Sequence, residues 1–202
     1  MQIVCLDLEG VLVPEIWIEF SQRTQIPELS KTTRDEPNYD KLMRERTEIL
    51  NRHRLGLSDI QNVIGGMCPI PGAREFLNEL RKRMQVVILS DTFYEFASPL
   101  MAQLDWPTLF CHHLEVNASG YIADYHLRIP DHKRASVAAF NTLNFNTIAV
   151  GDSYNDISML SEAHTGIFFC PPANVIADFP QFRVKRSYNQ LLNAIDEASA
   201  KN

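Results

Sequence analysis

The chain has 202 residues, 45% of them hydrophobic, which is enough for one substantial core or for a core plus a small insertion, and too apolar for a disordered segment. With 19 basic against 25 acidic residues, its net charge of -6 excludes the basic footprint of a nucleic-acid-binding protein. No run approaches the roughly 18 apolar residues of a membrane span, and no basic region precedes an apolar stretch at the N-terminus, so a cytoplasmic location without a signal peptide is expected.

The first element is the apolar run ending in Val4-Cys5-Leu6-Asp7-Leu8-Glu9-Gly10. It is too short for a core helix and reads as a buried parallel strand whose carboxyl end opens into a glycine turn. Asp7 and Glu9, two residues apart, share one face if the strand continues and flank a common group if it does not. From Pro14 to about Gly72, Trp17, Phe20, Leu42, Met43, Ile49, Leu50, Ile60, Val63 and Ile64 fall at helical spacing, with Ser58 as an N-cap before Asp59. A helical subdomain over 14–72 is therefore expected, inserted into a core made of 1–13 and 73–202.

Strands and helices then alternate. Phe76, Leu77, Leu80 and Met84 make one helix face, and Arg81-Lys82-Arg83 reads as its solvated end, where cations suit the helix dipole. Val86 to Leu89 is a second buried strand ending in Ser90-Asp91-Thr92, and Pro99 limits the following helix to one that starts near it or is kinked by it. Thr108 to Cys111 is a third strand. Leu114 to Tyr125 alternates around Gly120 and predicts a β-hairpin. A helix over 133–143 turns Val137, Phe140 and Leu143 inward, and Thr147 to Val150 is a strand running into Gly151-Asp152-Ser153-Tyr154-Asn155-Asp156. A helix over 158–163, a strand over 166–170 and a terminal helix opened by the Ser187/Gln190 capping pattern complete the chain. This rhythm predicts an α/β fold, a Rossmann-like doubly wound and mostly parallel sheet with a helical insertion after the first strand and a β-hairpin.

Cys5, Cys68, Cys111 and Cys170 are scattered without a C-x-x-C pair and read as reduced, buried thiols. The six histidines show no metal-ligand spacing, and His112 and His113, adjacent on a strand, point to opposite faces.

Three apolar strands thus end in polar tips: Asp7 with Glu9, Ser90 with Asp91 and Thr92, and Asp152 with Asn155 and Asp156. Parallel strands place such tips at one edge of the sheet, where ligands bind. Carboxylates converging in this way repel one another and need a cation. An all-oxygen donor set favours Mg²⁺ over zinc. Together with a hydroxyl, an asparagine and a lysine, for which Lys133 qualifies, the set suits a phosphoryl group.

These residues resemble the haloacid dehalogenase superfamily of phosphotransferases. Asp7-Leu8-Glu9-Gly10-Val11 is similar to its first motif, D-x-D-x-[TV], with Glu in place of the second Asp; Ser90, Lys133 and Gly151 to Asp156 match the other three. Within it, Val150 to Met159 and the helical insertion resemble the phosphoserine phosphatase branch. The Leu8 to Glu15 wording and the Ser90-Asp91-Thr92-Phe93 tip are closer still to its subgroup of phosphoserine phosphatases and phosphoserine:homoserine phosphotransferases. The resemblance implies that Asp7 attacks phosphorus and becomes an aspartyl-phosphate, while Glu9 protonates the leaving group and then deprotonates the acceptor. It implies Mg²⁺ held by Asp7, the Glu9 carbonyl and Asp152, with Asp156 in the outer shell or as a direct partner, and a phosphoryl site at Ser90, Asp91, Lys133 and Asn155. Glu15 then reads the substrate ammonium and Arg46 its carboxylate. The expected partners are O-phosphoserine, homoserine as a second acceptor, and a second copy of the chain in a homodimer, within serine biosynthesis.

Glu9 and Asp91 depart from the pattern. One more methylene moves the acid-base carboxylate by about 1.5 Å, which matters when a misplacement of about 1 Å costs two orders of magnitude; Glu9 is therefore expected to set the choice between water and an alcohol acceptor. A response-regulator receiver also clusters acids, a hydroxyl and a lysine, but its phosphoacceptor follows an internal strand and it has no room for the insertion. A phosphatase for another small phosphomonoester, or a silent phospholigand-binding protein on the same scaffold, is the remaining alternative, the latter supported by Glu9 alone.

Overall fold

The computed structural model describes residues 1–32, 35–36 and 38–200. Its strands are β1 (Gln2–Leu6), β2 (Gln85–Phe93), β3 (Leu109–Val116), β4 (Ile122–His126), β5 (Asn146–Gly151), β6 (Thr165–Phe169) and β7 (Arg183–Lys185). They form one sheet in the order β4-β3-β2-β1-β5-β6-β7, parallel throughout except for the β3–β4 hairpin. The opening strand is thus central, between β2 and β5, and both of its faces are covered. Val4 and Leu6 join one core while Ile3 and Cys5 join the other, as the two-residue period of a strand dictates.

Helices cover both faces, as the doubly wound reading requires. The Val4 face is packed by α4 (Ala73–Arg81), α5 (Tyr94–Gln103) and α9 (Tyr188–Ala200), and the Cys5 face by α6 (His132–Thr142), α7 (Ile157–Glu162) and α8 (Ala173–Asp178). Between β1 and α4 run α1 (Ile16–Thr24), a 3-10 turn (Pro27–Ser30), α2 (Tyr39–Arg52) and α3 (Leu57–Gly65). Their buried Ile16, Phe20, Met43, Leu50, Ile60 and Ile64 merge with the core on the Val4 face.

Several local expectations are corrected. Ser58 lies inside α3; the cap position is Gly56, whose N–H donates to the Asp59 carboxylate at 2.9 Å. Strand β2 does not stop before Ser90 but runs to Phe93, with a register shift between Leu89 and Phe93 against β3. Pro99 sits in the middle of α5. Its missing N–H would leave the Glu95 carbonyl unpaired, and the Gln61 side-chain amide from α3 donates there at 2.8 Å. Leu143, just beyond α6, is 66% exposed, whereas Val137 is buried. Of the four thiols, all free, Cys5 and Cys111 are buried but Cys68 and Cys170 are exposed. The terminal helix is capped with a one-residue offset: Gln190 N–H donates to Ser187 Oγ, while the Gln190 side chain accepts from Arg186 rather than Ser187. Arg83, two residues beyond the end of α4, is paired with Glu79 and Asp196.

Candidate active site

The three tips converge at the carboxyl edge of the sheet on one pocket. Asp7, Glu9, Ser90, Asp91, Lys133, Asp152 and Asn155 line it, and α1 and α2 close it with Glu15, Trp17, Tyr39 and Arg46. Asp156 lies fully buried beneath it.

Asp7 extends β1 by one ladder bond, its N–H donating to the Val150 carbonyl at 2.9 Å, and its side chain accepts from Leu8 N–H at 2.8 Å. Lys133 enters from the first turn of α6, 2% exposed, and its ammonium donates to Asp7 Oδ1 at 2.9 Å and to Asp156 Oδ1 at 2.8 Å. The other oxygen of Asp156 accepts from the Asp152 and Ser153 amides, at 2.9 and 3.2 Å, which fixes the β5 turn. Burial, then the charges of Asp156 and Asp152, push the Asp7 carboxyl up, against the pull of Lys133. Burial also opposes the Lys133 charge, but Asp156, Asp7 and Asp91 outweigh it and hold the ammonium well above its usual range.

Glu9 is turned by Gly10, at φ +76°, toward the start of α1, where it accepts the Ile16 N–H at 2.8 Å. Burial and the neighbouring Glu15 push its carboxyl up to about 8, against the Ile16 bond and Arg46. A carboxyl so tuned can carry a proton near neutral pH, as acid-base work requires.

Asp91 is an acceptor only. Its Oδ2 takes the Asn155 amide at 3.2 Å and stands 3.5 Å from Lys133, while Oδ1 lies 3.2 Å from His132 Nε2 and 3.7 Å from His112 Nε2. Burial works against its charge, yet Lys133, His112 and His132 prevail and hold the carboxyl well below the usual range. The sequence reading missed both histidines. Phe93 pairs with His112 across β2 and β3, and His132 directly precedes Lys133, so spatial neighbours stood far apart along the chain.

Arg46 is buried, unlike the exposed Arg44, which pairs with Asp40. Its guanidinium lies 4.2 Å from the centre of the Trp17 ring and donates to the Lys31 carbonyl at 2.7 Å, but its Nε has no partner among the described residues. Glu15 lines the pocket from the exposed side, one residue ahead of α1.

The acids fit a hard divalent cation. Asp7, Asp152 and Asp156 each offer an oxygen, all within 4.8 Å of one another. The two glycines of the loops make room for them: a Cβ on Gly10 would lie 2.4 Å from the Asp152 carboxyl carbon, and one on Gly151 would lie 2.4 Å from that of Asp156.

A central strand ending in a buried carboxylate that a buried lysine bridges to a second acid, beneath helices that bring an arginine to the same pocket, makes a site suited to a small anion. A family profile of haloacid dehalogenase-like hydrolases matches residues 1–164, and the chain belongs to that family of hydrolases. It is 56% identical over 201 residues to phosphoserine phosphatase ThrH of Pseudomonas aeruginosa, covering 100% of this chain and 98% of that protein. It is 54% identical over 199 residues to a phosphoserine phosphatase of Pseudomonas syringae pv. tomato, covering 98% and 84%. Among solved structures, a substrate-bound phosphoserine phosphatase complex superposes with a TM-score of 0.78 over 96% of this chain and 97% of that one; at 22% identity the likeness is one of fold.

Proposed function

We propose that this phosphoric monoester hydrolase acts on O-phosphoserine through an aspartyl-phosphate on Asp7, and passes the phosphoryl group to water or to homoserine. One observation carries the reading: Arg46, buried with its Nε unpartnered, faces the same pocket as Asp7. A buried guanidinium with open donors calls for a planar anion, and the carboxylate of an amino-acid substrate supplies one. The names of the two relatives above 50% identity support the same substrate.

In the first step an Asp7 oxygen bonds to phosphorus as the ester P–O bond breaks, and the departing alkoxide takes the proton of Glu9. Ser90, Lys133 and Asn155 donate to the phosphoryl oxygens, while Arg46 and Glu15 orient the amino-acid end. In the second step Glu9 withdraws the proton of water or of the homoserine hydroxyl, whose oxygen displaces Asp7. Asp7, Asp152 and the Glu9 carbonyl would hold a Mg²⁺ ion, which would supply positive charge against the phosphoryl oxygens, and Asp156, whose oxygens accept from Lys133, from the Asp152 and Ser153 amides and from Ser153 Oγ, would orient the set.

Gly10→Ala is expected to push the Asp152 carboxyl out of the cluster and to lower activity by about 10²; steady-state rates across a Mg²⁺ series, with a melting curve for each protein, check this. The substrate is tested by phosphate release from O-phosphoserine with Mg²⁺, with and without homoserine. Release that homoserine diverts into phosphohomoserine supports both acceptors, and release without diversion leaves water alone. No release removes O-phosphoserine together with the roles of Arg46 and Glu15.

A further inference from the structure

A carboxylate stands among the groups assigned to the phosphoryl oxygens. Asp91 Oδ2 accepts from Asn155 at 3.2 Å and faces the Lys133 ammonium at 3.5 Å, two of the three donors assigned above to the phosphoryl group. Its other oxygen faces two imidazoles packed edge to face, their ring centres 4.6 Å apart. His112 Nδ1 accepts the Arg128 N–H at 3.2 Å, so the neutral ring carries its proton on Nε2, toward Asp91. That proton also argues against reading Asp91, His112 and His132 as a metal site, although their donor atoms lie within 4.8 Å of one another, because His112 turns an N–H toward the cluster rather than a lone pair.

His132 is the informative member. It is 1% exposed, its Nε2 lies 3.2 Å from Asp91 Oδ1, and yet among the described residues neither of its ring nitrogens has a hydrogen bond of acceptable geometry. A buried donor left so is costly. A carboxylate displaced from Lys133 and Asn155 by a phosphoryl group could complete that bond. We propose that Asp91 competes with phosphoryl groups for Lys133 and Asn155, is displaced toward His132 and His112 when a phosphoryl group binds, and thereby sets how tightly phosphoryl groups, the product phosphate included, are held. The proposal rests on the assignment of Lys133 and Asn155 to the phosphoryl oxygens.

Two features make the arrangement useful. A dianion that entered with no competitor would meet Lys133 unopposed and leave slowly; a neighbouring carboxylate weakens phosphate retention by occupying its donors and by like-charge repulsion. The imidazoles give the displaced carboxylate a place to go, so that the repulsion falls once the substrate is seated.

The test is competitive inhibition of the Mg²⁺-loaded enzyme by inorganic phosphate. Asp91→Ala should lower the inhibition constant by about tenfold or more, and Asp91→Asn, which also removes the charge, should lower it too. His132→Phe should raise the constant several-fold when Asp91 is present and leave it unchanged in the Asp91→Ala background. Should a variant turn over too slowly to assay, calorimetric titration with phosphate reads the same affinity. A constant that is unchanged or higher in Asp91→Ala overturns the proposal, since the carboxylate would then be holding Lys133 and Asn155 in place. A wild-type enzyme that phosphate does not inhibit at all overturns the assignment of Lys133 and Asn155 and the proposal with it.

Discussion

Asp7→Asn is expected to lower turnover by at least ~10³, about 4 kcal/mol of barrier, without lowering the melting temperature. The amide is isosteric, and its oxygen can keep the Leu8 bond, now made at 2.8 Å, but it offers no carboxylate to phosphorus. Stability moves the other way. In the folded protein burial, Asp156 and Asp152 raise the carboxyl well above its unfolded value, so the ionised side chain costs folding free energy, a cost present above the unfolded pKa and relieved as the pH falls through the folded one. A neutral isostere removes it. The pair of results separates a nucleophile from a structural acid: loss of rate with equal or higher melting temperature supports the first, and near-normal turnover removes the assignment.

How far the site was legible depends on where each residue's partner comes from. Asp7, Ser90 and Asp152 sit at the ends of apolar runs in a parallel sheet, and the rule that such ends share an edge is enough to bring them into one pocket. The glycine turns, the hairpin about Gly120 and the alternation of covering helices follow equally from local pattern. What local pattern does not carry is the lateral order of strands. His112 reaches Asp91 because β3 lies beside β2, and no spacing rule along the chain connects it with His132 or Asp91. The continuation of α5 through Pro99 depends likewise on an amide from another helix. Leu143 shows the opposite error: one position past the last turn of α6, an apolar residue falls outside the inward stripe.

Lys133→Met is expected to cost about 3–5 kcal/mol of folding stability, the usual penalty for breaking a buried pair, which for a chain of this size lowers the melting temperature by roughly 6–20 °C. Methionine replaces most of the buried methylenes, so the loss reports the charge and not a cavity. The ammonium bridges Asp7 at 2.9 Å and Asp156 at 2.8 Å, with Asp91 at 3.5 Å, and without it three carboxylates face one another. Because those acids raise the lysine above its unfolded value, its contribution is complete at neutral pH and fades only as the pH rises through the folded pKa. Two further outcomes follow from the same electrostatics. Mg²⁺ should raise the melting temperature of the variant more than that of the wild type, since a cation bound only by the folded cluster offsets the missing charge. Adding Asp7→Asn to Lys133→Met should recover part of the loss, a coupling that a double-mutant cycle of melting or denaturant titrations measures directly. A drop under ~1 kcal/mol, with no response to Mg²⁺, would mean that the acids are not held as an ionised cluster, and the description of this site as one built for a hard cation would then fail.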